Sequence, residues 1–243
     1  MKTYTEHFSL LTRDCDLNSA WRPGAILLAM QEVGGAHSER LGAGRNVLAL
    51  QNLAWVLTRI ELEMDRYPTI GEEISLETFP APVRRWFFPR YFVIRDAEDH
   101  EIGRAASLWV LLDLVTRRMA QPGGIAALMP DNRDLPAPLG LPGSVTEVSG
   151  VLEESRRVPL YSDLDANRHV NNTRYVDWAC DALGVDCMAE NELARFTVNY
   201  DMEVKPGQEV RTQFRRLGRD FSYCGFVGDE RHFDIGGTLR PRR

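Results

Sequence analysis

The sequence predicts an α+β protein in which one pattern, a helix wrapped by a curved antiparallel sheet, occurs twice in a single chain. Three observations carry this. A D-x-D-x-N motif stands at Asp14-Cys-Asp16-Leu-Asn18 and again at Asp163-Leu-Asp165-Ala-Asn167. Each copy precedes a helix-like segment and then about four strand-like runs, so motif and element order repeat together. A stretch rich in proline and glycine from Pro122 to Gly143 divides the two series and reads as linker.

The elements follow from local pattern. In the first half a helix is expected over Ala25 to Leu41, with Ile26, Met30 and Val33 at helical spacing. Strands are expected at Ala54–Met64, Glu73–Phe79, Trp86–Arg95 and Gly103–Leu114. Turn residues Pro68 to Gly71 and Asp96 to Asp99 separate them. In the second half the helix is expected over Asn172 to Leu183. Its strands are Ala194–Val204, Glu209–Leu217, Ser222–Gly228 and a last run near Phe233–Leu239. One apolar helix fills the concave face of such a sheet, which makes the pairing economical. The domains are accordingly placed at residues 1–130 and 153–243, with a linker over 131–152. Gly34-Gly35, inside the first helical pattern, suggests close packing or a kink.

Composition removes several classes. The chain has 243 residues, 44% hydrophobic and 26% charged, enough to bury a core without disulfide or metal staples. A net charge of −6 argues against a general basic surface for nucleic acid. The four cysteines form no CxxC pair, and with five histidines no metal-ligand spacing appears, so neither metal nor cofactor is expected. The N-terminus lacks the apolar core of a signal peptide and no run approaches 18 apolar residues. The expectation is a soluble cytoplasmic protein that does not insert into a membrane. No GxSxG elbow, Walker loop or GxGxxG occurs.

The two copies differ where chemistry would sit. Aligning Asp16 with Asp165 puts Ala20 opposite His169. Asp165, Asn167 and His169 alternate, so an extended chain presents them on one face, where they can polarise a carbonyl or activate water. The same aspartates and asparagines also suit a turn into the following helix, with His169 merely packed. That reading explains the motif in both halves but leaves His169 and the Asn171-Asn172 pair of the second half unaccounted for. Glu203 lies in the alternating run Phe196-Thr-Val198-Asn-Tyr200-Asp-Met202-Glu203, on the parity of Asn199 and Asp201, which by itself reads as a solvent-facing strand position.

The chain resembles the acyl-acyl carrier protein thioesterases, the fatty-acid-releasing enzymes of plants and their bacterial relatives. The resemblance covers nearly the whole sequence. It runs through Trp55-Val-Leu-Thr-Arg59, Tyr67-Pro68-Thr-Ile-Gly71, Ile94-Arg95-Asp96, Gly103 to Val110 and Asp113 to Arg118, and then Ser162 to Tyr175. It implies a tandem double hot-dog fold and hydrolysis of fatty acyl-carrier protein to free fatty acid, with Asp165, Asn167, His169 and Glu203 as catalytic residues. Glu203 would then be general base, held by Asp165 and His169, or else His169 is the base and Glu203 its orienter. Asn167 would donate to the thioester oxygen, aided by a backbone N–H at the start of the following helix. Val204 stands where plant members carry a cysteine, so a covalent cysteine mechanism cannot apply. The first half, with Ala20, is expected to be silent. There Trp21, Ile26, Met30 and Trp55 would line or limit the acyl tunnel, while Asn171 and Asn172 would contact substrate. The acidic carrier protein needs a local basic patch on this chain, for which Arg84, Arg85, Arg117 and Arg118 are the candidates. Monomer and homodimer both suit a fused pair of domains. A non-catalytic acyl-thioester binding module, a hot-dog dehydratase or hydratase, and an acyl-CoA hydrolase are the alternatives on the same fold.

Overall fold

The computed structural model describes residues 1–242. Contacts gather the chain into two compact units, Met1–Trp21 with Ile26–Pro142, and Arg22–Ala25 with the chain from Gly143 onward.

The first unit opens with β1 (Tyr4–Ser9), a 3-10 turn at Thr12–Asp14 and helix α1 (Pro23–Arg40). Pro23 at the first helical position costs no hydrogen bond there. A short α2 (Arg45–Leu50) leads to β2 (Leu53–Met64), β3 (Glu73–Pro80), β4 (Phe88–Arg95) and β5 (Glu101–Asp113). The two-residue β6 (Met119–Ala120) and α3 (Gly123–Leu128) close the unit. The strands form an antiparallel sheet in the order β1-β3-β4-β5-β2, with β6 beside β5. Ile26, Met30, Val33 and His37 make one buried stripe along α1. α1 runs unbroken through Gly34 and Gly35, and packing demands neither glycine. A Cβ at 34 would meet Arg90 Cδ at an ordinary 3.5 Å, and one at 35 would meet nothing.

Every residue of β4 from Phe88 to Ile94 is buried, on both faces. The segment expected to be a bare linker explains this. Phe79, Tyr91 and Ala106 are cross-strand neighbours in one row, and Leu135, Leu139 and Leu141 pack over them. Asn132 anchors this strap by donating to the carbonyls of Lys2 and Pro80. The strap has no periodicity because it runs across a sheet, contributing a leucine wherever a gap needs one.

The core of the first unit contains a buried cation. The guanidinium of Arg90 donates to His37 Nδ1 (3.1 Å), Thr78 Oγ1 (3.2 Å) and Ser38 Oγ (3.2 Å), and among the described residues no carboxylate pairs with it. Burial, and then the charge of Arg90, hold His37 down at about 4.

The second unit begins with β7 (Glu153–Arg157), a 3-10 turn at Tyr161–Asp163, α4 (Arg174–Leu183) and α5 (Val185–Glu190). It continues through β8 (Asn191–Tyr200), β9 (Val210–Leu217), β10 (Asp220–Val227) and β11 (Glu230–Pro241). Its sheet order is β8-β11-β10-β9-β7, again antiparallel. The two halves do not both carry a long helix. Gly184, at φ +89°, ends α4 after ten residues. Tyr175, Trp178 and Tyr223 gather around Phe233, with ring centroids 4.4, 6.0 and 5.8 Å away. Gly225, the cross-strand partner of Phe233, leaves room for that ring, since any Cβ there would collide with it. The stretch after Gly143 also lies on its sheet, with Val145 against Gly236 and Val148 N–H donating to Ser222 Oγ (3.1 Å).

The depressed His37 makes an acid-sensitive core. Between pH 6.5 and 4 the unfolded chain takes up a proton that the folded chain refuses, so this contribution is complete above pH 6.5 and is lost as pH falls toward 4. The shift corresponds to about 3 kcal/mol. Urea unfolding across that range is expected to show a steeper pH dependence for the wild-type chain than for His37→Gln.

Candidate active site

The repeated motif folds the same way twice. Its first aspartate closes the 3-10 turn: Leu11 N–H donates to Asp14 Oδ2 (3.0 Å), and Leu160 N–H to Asp163 Oδ2 (2.8 Å). Asp163 further accepts from Arg174 Nε and Trp178 Nε1, both at 3.2 Å, which ties the turn to α4. The second aspartate organises a tight loop. Asp16 Oδ1 accepts from the N–H groups of Asn18 (2.8 Å) and Ala20 (3.2 Å), and Asp165 Oδ1 from those of Asn167 (2.8 Å) and His169 (3.3 Å). Asp16 N–H donates to Ala20 O at 2.8 Å, and Asp165 N–H to His169 O at 2.9 Å. The residue before the fourth position is left-handed in both, Ser19 at φ 59° and Arg168 at φ 61°. The turn role of the motif is therefore real in each unit, and Asp165 spends its carboxylate on its own loop. Asn167 Nδ2 donates to Asp165 Oδ2 at 3.2 Å.

A second segment meets each loop. Trp21 N–H donates to Pro68 O in the first unit and Val170 N–H to Val204 O in the second, each at 2.9 Å. Ala20 thus pairs with Thr69, Tyr67 takes the place of Glu203, and the side chain at position 169 meets Glu203. There the units part: His169 Nδ1 is 3.3 Å from Glu203 Oε2, and Lys205 Nζ is 3.4 Å from Glu203 Oε1. The pair is partly open to solvent, the His169 side chain 28% and that of Glu203 31% exposed. Glu203 is not on a strand as its parity suggested. β8 ends at Tyr200, and Asp201 and Met202 turn away by donating both their N–H groups to His232 O (2.9 and 3.0 Å). It is His169 and Lys205, not Asp165, that meet its carboxylate.

The remaining predicted residues are dispersed. Asn171 Oδ1 accepts from Thr173 N–H (3.0 Å) and its carbonyl from Arg174 N–H (2.9 Å), so the N-cap N–H and the first helical N–H of α4 are taken. Asn172 O accepts from Tyr200 Oη (3.0 Å). Trp21, Ile26 and Met30 are buried in the first unit's core. Trp55 stacks edge-on against Phe88 and donates to Ala43 O (2.9 Å). Arg84 and Arg85 occupy the β3–β4 turn and Arg117 and Arg118 the β5–β6 turn. Both turns lie at one end of the first unit's sheet, because Phe88 pairs with Trp109 near the close of β5.

Sequence reasoning missed three site residues. Lys205 lies two places after Glu203. Tyr175, buried on α4, bonds the Val204 backbone, and burial followed by the Asp165 and Glu203 charges pushes its phenol above the ordinary range. His232 donates from Nδ1 to Glu203 O at 3.0 Å. Cysteine chemistry finds no support: Val204 is fully buried, and burial pushes Cys224 up to about 11. Among the described residues the only grouping of metal-type ligands is Asp96, Glu98 and His100, in the exposed β4–β5 turn and outside this site.

Fold and site together describe a tandem hot-dog protein with a histidine–carboxylate pair in its second half. Residues 1–122 match the acyl-ACP thioesterase N-terminal domain and residues 149–227 the acyl-ACP thioesterase C-terminal domain. The chain belongs to the acyl-ACP thioesterase family. It is 28% identical over 218 residues to the chloroplastic oleoyl-acyl carrier protein thioesterase of Coriandrum sativum, covering 83% of this chain and 59% of that one. Against the chloroplastic palmitoyl-acyl carrier protein thioesterase of Arabidopsis thaliana the identity is 27%, over 74% of this chain and 45% of the other. The chain therefore spans about half the length of these curated relatives. An acyl-ACP thioesterase structure from Bacteroides thetaiotaomicron superposes with a TM-score of 0.88 at 26% identity, covering 98% of both chains.

Because the Asp-centred loop is built alike in both units, removing its aspartate has the same structural cost in each. Asp16→Ala and Asp165→Ala are each expected to lower unfolding free energy by about 1–3 kcal/mol, as loop N–H groups lose their acceptor. Equilibrium denaturation of the two variants checks this, and unequal losses would contradict the equivalence of the loops.

Proposed function

We propose that this chain hydrolyses the thioester between a fatty acyl group and the phosphopantetheine arm of acyl carrier protein, releasing free fatty acid and ending chain synthesis. The observation that carries this is the His169–Glu203 pair, present in one unit of a chain whose family is that of the acyl-ACP thioesterases. Both oxygens of Glu203 have cationic or imidazole partners, which favours His169 as the group that meets water. With Nδ1–H facing Glu203, Nε2 is the basic nitrogen. It takes a proton from water as the oxygen attacks the carbonyl carbon, and Asn167, oriented by Asp165, donates to the carbonyl oxygen as charge develops. Collapse of the adduct breaks the C–S bond, and the proton passes to the departing sulfur, giving a thiol and a carboxylic acid. The first unit, with Ala20 and Tyr67 at the matching places, is silent in this reading. A reducing cytosol suits the four cysteines, all free thiols.

Free-thiol release from C8 to C18 acyl carrier protein thioesters, run beside the matching acyl-CoAs, tests the reaction and its donor. Release with a chain-length optimum is expected, and His169→Ala should lower kcat about 10²–10⁴-fold. Thioester that binds yet stays intact would leave a binding module instead.

The basic turns of the first unit supply the docking face for the acidic carrier protein. Among the described residues no carboxylate pairs with Arg84, Arg85 or Arg118. Apolar Trp86, Val115 and Met119 stand exposed in or beside the same turns, Val115 at 74%. Arg84→Glu with Arg118→Glu is expected to raise KM for the carrier-protein substrate several-fold at low salt and less at high salt, with acyl-CoA unaffected. An unchanged KM at every ionic strength would remove these turns from docking.

A further inference from the structure

We propose that His232 is a positioning residue of the active site, acting on His169 through Glu203. This rests on the reading of His169 and Glu203 as the reacting pair. His232 stands near the start of β11 with its side chain buried. Its carbonyl accepts the N–H groups of Asp201 and Met202, and its Nδ1 lies 3.0 Å from Glu203 O. A carbonyl oxygen only accepts, so Nδ1 carries the hydrogen. One residue therefore holds three consecutive backbone units of the segment that presents Glu203. The neighbouring Arg231 adds a side-chain bond from Nε to Asp201 Oδ2 at 2.9 Å.

The first unit shows which of these bonds belongs to the fold and which to the site. There Asp65 and Arg66 donate their N–H groups to Ile102 O at 2.8 and 3.2 Å, the same clamp made by Asp201 and Met202 on His232. Ile102 thus occupies the place of His232, Tyr67 that of Glu203 and Ala20 that of His169. The clamp closes without a histidine, so the sheet does not require one. Yet the three places at which an alanine, a tyrosine and an isoleucine give way to His169, Glu203 and His232 are joined in the second unit by consecutive contacts, imidazole to carboxylate and carbonyl to imidazole.

The physical role follows from the competition for Glu203. Its carboxylate sits between His169 Nδ1 and the ammonium of Lys205, which rides on a flexible four-carbon stem. Fixing the Glu203 carbonyl fixes the peptide plane and with it the direction of the Cα–Cβ bond. The carboxylate then stays beneath His169 instead of following Lys205 into solvent. A displacement of about 1 Å in such a pair costs up to about 10²-fold in rate.

The test compares His232→Leu with His232→Asn, whose amide nitrogen takes the place of Nδ1, in the wild-type and Glu203→Gln backgrounds. It uses the full chain and an acyl carrier protein thioester. His232→Leu is expected to lower kcat about 10–100-fold with KM within about twofold, and His232→Asn to recover most of the loss. In the Glu203→Gln background His232→Leu should cost less than about twofold further, since a residue acting through Glu203 has nothing left to position. Should His232→Leu fail to fold, His232→Gln, whose amide falls where Nε2 sits, makes the same comparison. A folded His232 variant with wild-type kcat, or an equal loss in both backgrounds, would overturn the proposal. Wild-type turnover by Glu203→Gln itself would instead strike at the reacting pair.

Discussion

The structure depends on one short loop in which an aspartate carboxylate gathers the N–H groups two and four residues ahead. That loop, at Asp16 and again at Asp165, turns the chain so that position 20 or 169 faces the segment leaving the second unit's first long strand or its counterpart. It tolerates a left-handed residue at Ser19 or Arg168, a conformation that costs of order 1 kcal/mol for a residue with a Cβ. The bonds that offset this cost all come from the backbone and the aspartate. Nothing in the frame uses the side chain at its fourth position, so alanine and histidine serve the fold equally well and chemistry can be added without rebuilding.

The same separation of frame and function recurs at the neighbouring segment. Two N–H groups clamp onto the carbonyl of Ile102 in one unit and of His232 in the other. The backbone bond is indifferent to residue type, which leaves the side chain available. A polar site thus arises at the meeting of two backbone devices that exist in duplicate. The partly exposed imidazole and carboxylate stay reachable by water because they project from loops, not from the aromatic core around Phe233.

Much of this was legible in the sequence. The repeat of D-x-D-x-N announced the duplicated loop, and the contrast of Ala20 with His169 announced which copy differs. The strand runs lay within a few residues of their observed bounds because alternation and turn residues are local signals. What escaped depended on distance along the chain. Glu203 read as a strand residue because β8 is ended by the carbonyl of His232, some thirty positions later, and not by any turn residue of its own. His232 matches Ile102 only through hydrogen bonds, since no sequence pattern surrounds either. The second helix, read over Asn172 to Leu183, does end at Leu183, where Gly184 at φ +89° stops it. Trp21, Ile26 and Met30 read as tunnel residues by family resemblance, and all three are buried.

The segment between the halves is a cover as well as a tether, which bears on how the chain can be engineered. Leu135, Leu139 and Leu141 cover the outer face of the first sheet, and the residues from Val145 to Gly150 lie along the second. A tether chosen only for reach would leave Phe79 and Tyr91 wet. Each half relies on the join for shelter. Splitting the polypeptide there would strip that cover from the sheet, and a glycine–serine replacement would trade an ordered cover for exposed aromatic surface.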